Sequence, residues 1–137
     1  MMGRPQLLFT VTAALMIFFG LGFLLIPGRV FLLYGVTLDA GGIMLARVAG
    51  SAVLALGTLA WSVRTSTDAQ VIRHAATALV CFFLFKTAVT LLAQLSGVFN
   101  ALGWTILVID APLLALYARL RFGRATSAPI SARRSRD

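Results

Sequence analysis

The chain has 137 residues, of which 60% are hydrophobic and 12% charged, and its formal net charge is +8. A soluble domain is excluded: a fold of this size has too little interior to hide that much apolar surface, whereas a bilayer accepts it in helices of about 20 residues. Nucleic acid is not expected as a partner despite the basic balance. Most of the arginines stand at the ends of hydrophobic runs, where positive charge sets membrane orientation and meets anionic headgroups.

The first run covers residues 7–26, carries no charge, and lies between Pro5 and the pair Pro27-Gly28. Proline is tolerated at a helix start and stops one just beyond its end, so both boundaries have a mechanism. A signal peptide is the competing reading, because Arg4 precedes the run. The run is longer than a signal core, and no small-x-small cleavage site follows it. In the loop at residues 27–42, Val30, Phe31, Leu32, Leu33 and Tyr34 form an apolar patch. That patch is expected either at the membrane surface, with Tyr34 at headgroup depth, or packed over the bundle.

The second span is expected at residues 43–63. Gly42, Ala46 and Gly50 recur there at a spacing of four, which puts them on one helix face and lets another backbone come close, in this chain or in a partner. In the loop at residues 64–74, Thr67 and Gln70 have capping-box spacing, so the third helix should begin near Asp68 in water and cross the membrane over residues 75–95. Residues 96–100 make a tight turn, which makes the third and fourth helices antiparallel neighbours. The fourth span, residues 101–120, is interrupted by Asp110 and Pro112.

Residues 1–124 thus read as an all-α, polytopic membrane domain, an antiparallel bundle of four transmembrane helices. Residues 125–137 read as a disordered basic tail, rich in arginine, serine and alanine. Arg4, Arg64, Arg73 and the six arginines from Arg119 onward fall on one side of such a bundle, against Arg29 alone on the other. The positive-inside rule then predicts both termini in the cytoplasm of a cell with an inner, cytoplasmic membrane.

Three ionisable residues lie inside the expected spans: Arg47, Lys86 and Asp110. A charge at a helix centre costs about 2.5–3.5 kcal/mol on insertion scales, so each needs a partner, a wet cavity or a route to the interface. Counted from the outer span ends at Leu95 and Ala101, Lys86 and Asp110 are each nine residues deep, ~13 Å at the helical rise. They are therefore expected to form an ion pair near mid-membrane. Arg47 lies nearer the outer surface and should reach toward Asp110 or snorkel toward Asp39. Pro112 has no amide hydrogen and leaves the Val108 carbonyl without its helical donor one turn from Asp110, a kink or an ion site. Arg47, Ser51, Leu54, Thr58 and Trp61 share one stripe. It is either a polar lining for a headgroup or anion, or a face whose hydroxyls bond their own backbone while Trp61 anchors the interface.

Cys81 is the only cysteine and His74 the only histidine, which removes disulfides within the chain, paired-histidine haem ligation and multi-histidine zinc sites. Cys81 with Phe82, Phe83 and Phe85 reads as packing, and His74 as a residue in contact with water or headgroups. No cofactor or metal is expected, and no set of nucleophile, base and orienting group stands out.

Pro27, Gly35 and the segment RVAGSAVLALGTLAWSVR, with Arg47, Gly50, Gly57 and Arg64, resemble the small four-helix bacterial membrane proteins of the DoxX-like group. The resemblance covers roughly the first half of the chain. It implies a bacterial cytoplasmic-membrane protein, some relatives being associated with quinone-linked or thiol-related oxidoreductases, and it carries no catalytic residue onto this sequence. The leading expectation is a non-enzymatic accessory or scaffold protein in contact with lipids, other membrane proteins or further copies of itself. The alternatives are a small oligomeric transporter or channel using Lys86 and Asp110, and a quinone- or lipid-binding subunit of a membrane oxidoreductase.

Overall fold

The computed structural model describes residues 4–123; the expected tail at 125–137 lies outside them. The described residues form five helices: α1 (Arg4–Leu25), α2 (Pro27–Leu33), α3 (Ala40–Val63), α4 (Ala69–Leu95) and α5 (Gly103–Phe122). All but α2 are long and apolar enough to cross a bilayer, and the chain is an integral membrane protein with four candidate spans.

The loop expected at residues 27–42 contains the short helix α2, which Pro27 opens at a position where a missing amide hydrogen costs nothing. Leu25, Ile26, Leu32 and Leu33 are exposed around it. Tyr34 instead is half-buried, its ring centroid 6.0 Å from that of Phe99, so the apolar patch divides between an outward and an inward face.

Aspartate caps both α3 and α4. Asp39 accepts the Gly42 amide at 2.7 Å, and Asp68 accepts the amides of Gln70 at 2.7 Å and Val71 at 3.4 Å. The start of α4 near Asp68 is as expected, but the Thr67–Gln70 capping box is corrected: the cap is the Asp68 carboxylate, and Gln70 supplies its backbone amide. A carboxylate both accepts the free amides and complements the positive end of the helix dipole. The fourth spanning helix begins two residues later than expected. Asn100 Oδ1 accepts the Leu102 amide at 2.9 Å and holds residues 101 and 102 in the turn.

The spanning helices pack as two antiparallel pairs, α1 with α3 and α4 with α5. Glycine makes the first pair close. A methyl group on Gly50 would stand 2.8 Å from the Leu24 nitrogen and 3.0 Å from the Gly20 oxygen, and one on Gly57 would stand 3.1 Å from the Ile17 nitrogen. Gly20 reciprocates, its Cβ position lying 2.8 Å from the Leu54 nitrogen. Of the expected small-residue face, Gly50 packs on α1 within the chain and Ala46 is buried, whereas the Cβ position of Gly42 faces Leu38 and Asp39 of the preceding loop.

The two pairs meet mainly at one end. Phe9, Ala13 and Met16 of α1, Ala60 and Val63 of α3, Ala75, Ala76, Leu79 and Phe83 of α4, and Leu113 and Tyr117 of α5 form the buried core there. Tyr117 is its pivot: Phe9 meets it edge-on at 5.4 Å, and Phe83 stacks on it at 6.1 Å. At the opposite end Asn100 joins the pairs, its amide donating to the Tyr34 carbonyl and its Nδ2 to the Leu33 carbonyl, both at 2.9 Å.

Gly50→Ala should lower stability by about 1–3 kcal/mol through overpacking against Leu24 and Gly20. Gly28→Ala, with open space at its Cβ position, should stay within about 0.5 kcal/mol of the parent. Denaturant unfolding in detergent micelles measures both, and equal effects would contradict the close α1–α3 contact.

Candidate functional site

The mid-membrane charges come together through the α4–α5 turn. Gly97, at φ 71°, takes the left-handed conformation that lets α4 end and the chain double back. The two helices then run antiparallel with residue 86 beside residue 110. Lys86 Nζ donates to both Asp110 oxygens at 2.7 Å, a bidentate contact in the range of short charge-assisted bonds. Asp110 lies seven residues inside α5, ~10 Å from its start, somewhat shallower than the sequence count because residues 101 and 102 belong to the turn.

The partners differ in setting. The Asp110 side chain is 3% exposed and that of Lys86 34%. The carboxylate is enclosed between the helices, while the Lys86 side chain reaches the outer surface of α4 in a shallow apolar groove, with Cys81, Phe82, Phe85 and Val89. Lys86 has three N–H donors, and Asp110 takes two of them. Its Nζ also stands 6.0 Å from the centroid of the Phe83 ring. Cys81 is exposed in that groove rather than packed in the core, a departure from the expectation, and Phe85 is exposed with it.

Arg47 does not join the pair. It is exposed on α3, and Lys86–Asp110 is the one ion pair among the described residues, so neither reach expected for Arg47, to Asp110 or to Asp39, is realised. Its helix packs on α1, not α5, and Asp39 is engaged by the Gly42 amide. On the stripe that follows Arg47, Ser51 donates to the Val48 carbonyl at 2.8 Å and Thr58 to the Ala55 carbonyl at 2.7 Å. Both hydroxyls are satisfied by their own helix. His74 is exposed near the start of α4.

Two features had no clear signal in the sequence. Tyr34 turns inward toward the pair: burial raises its phenol pKa above the ordinary value, and the Asp110 carboxylate adds to the rise. Asn100 uses its whole side chain and backbone, accepting at Oδ1 from Leu102, at its carbonyl from Gly103, and donating to residues 33 and 34. Leu33 and Asn100 are 67 positions apart, and no local pattern could link them. Among the described residues, the buried oxygens Thr87 Oγ1 and Gln94 Oε1 have no hydrogen-bond partner. Among the described residues no group of three or more His, Cys, Asp or Glu side chains could hold a metal ion.

No known family model, curated protein or solved structure matches this chain. Of the DoxX-like resemblance, four apolar helices consistent with a small four-span membrane protein are what the structure supports.

Removing one member of the Lys86–Asp110 pair leaves the other charge stranded, which costs about 3–5 kcal/mol, whereas replacing both with apolar residues is close to neutral. Lys86→Met and Asp110→Leu should each destabilise strongly and the double variant should recover most of the loss. A double-mutant cycle of unfolding in micelles measures this, and additive single losses would contradict coupling.

Proposed function

We propose that the chain is a non-enzymatic accessory or scaffold protein of a bacterial cytoplasmic membrane, with both termini cytoplasmic, and that the α4 surface around Lys86 rests against another transmembrane protein. The observation that carries this is the Lys86 side chain, 34% exposed at mid-span, whose ammonium has one N–H beyond its Asp110 contacts. Among the described residues that N–H has no acceptor. A neighbouring helix that presents a carbonyl or hydroxyl oxygen supplies one and covers Phe85, Val89 and Leu92, all exposed on α4. The α3 glycine face, the other surface suited to close helix contact, is occupied by α1. The bacterial setting rests on the DoxX-like resemblance and the orientation on the arginine distribution.

The single native cysteine allows a direct test. A photo-crosslinker coupled to Cys81 and illuminated in native membranes should capture a membrane protein, and the Lys86→Met/Asp110→Leu double variant should lose most of that adduct. Adducts with lipid alone in the parent chain would sink the proposal.

Orientation is tested separately. A fluorescent reporter that matures only in the cytoplasm, fused after Asp137, should light up, whereas an exported phosphatase at the same place should be inactive; the reverse result would place the termini outside.

A further inference from the structure

The arginine-rich end of the bundle holds a second feature, independent of the α4 surface. A cavity of about 190 Å³, several times the ~30 Å³ share of one water, opens between the start of α1 and the α3–α4 loop. One wall is apolar: Pro5 and Phe9 of α1, Val63 of α3 and Ile72 of α4. The other is polar: Gln6, Arg64 and the successive hydroxyl residues Thr65, Ser66 and Thr67.

Arg64 is held in place on this wall. Its guanidinium carbon lies 3.4 Å from the centroid of the Trp61 ring, and Nη1 donates to the Trp61 carbonyl at 2.8 Å. Among the described residues its guanidinium, which has five N–H donors, makes that one hydrogen bond and pairs with no carboxylate. The nearest acid in sequence, Asp68, is engaged with the first amides of α4, and Arg73 on the same helix adds a positive charge. Ser66 Oγ accepts the Asp68 amide at 3.3 Å and keeps its own proton to donate.

A fixed guanidinium, hydroxyl donors and an apolar wall together, at the end of a membrane bundle, match one chemical class: a phosphodiester joined to an acyl glycerol. We propose that this cavity binds the headgroup of an anionic phospholipid, its phosphate on Arg64 and the Thr65–Thr67 hydroxyls and its glycerol against Pro5 and Ile72.

The test is native mass spectrometry of the full chain in detergent titrated with phosphatidylglycerol or phosphatidylcholine. Phosphatidylglycerol should be retained preferentially, Arg64→Gln should weaken its retention on the order of tenfold, and Thr67→Val should weaken it by a smaller factor with charge unchanged. Arg119→Gln removes the same charge from the same end without touching the cavity and should leave retention near the parent value. Circular dichroism checks that each variant keeps its helices. Equal losses in Arg64→Gln and Arg119→Gln would reduce the effect to diffuse charge and overturn the proposal. So would equal retention of the two lipids, or displacement of the bound lipid by millimolar inorganic phosphate, which would make the cavity a plain anion site.

Discussion

Hydrocarbon offers neither counter-ions nor hydrogen-bond acceptors, so a charge carried into it must be answered by the protein itself. In this chain the answer is the bidentate contact of Lys86 with Asp110, and much of the architecture of α4 and α5 follows from it. The pair requires the two helices to run side by side in one register, which the tight turn at Gly97 permits and Asn100 fixes. It also leaves an asymmetry, a sealed carboxylate and a partly exposed lysine side chain, and that asymmetry marks one face of α4 as different from the rest.

The other half of the molecule is held by shape rather than charge. Gly20, Gly50 and Gly57 bring the backbones of α1 and α3 so near that a single added methyl group has nowhere to go. Where the two halves meet, neither device is used. Tyr117, Phe9 and Phe83 interlock at one end and Asn100 bridges to residues 33 and 34 at the other. A joint made at its two ends asks little close packing of the middle.

How much of this was legible in the sequence depends on the range of the interaction. The four spans follow from uninterrupted apolar length, and the approximate start of α4 from the spacing of Thr67 and Gln70, although the cap itself is Asp68, because both signals are local. The meeting of Lys86 and Asp110 follows from equal depth on helices joined by a short turn, which is nearly local. The fate of Arg47 did not follow, since it turns on which helix α3 packs against, and small residues at a spacing of four do not name their partner. Neither did the Asn100 bridge, a contact between segments far apart whose residues are unremarkable in isolation. The helix α2 was hidden because Pro27 reads equally well as the stop of one helix and the first residue of the next. The cavity beside Arg64 was invisible for a related reason: its walls come from the start of α1 and the approach to α4.

The arrangement of the charges bears on how such a chain enters a membrane. Lys86 and Asp110 belong to consecutive helices separated by a few residues, so they leave the ribosome close together and can cancel before either is stranded in lipid. A hairpin whose mid-span charges already cancel when it leaves the insertion machinery does not wait for the first two helices to shelter it. The first hairpin, with no ion pair of its own among the described residues, is closed by glycine contacts that need no counter-charge. Biogenesis can therefore proceed as two self-sufficient insertions followed by a lateral docking step, with the aromatic cluster and Asn100 as its latches.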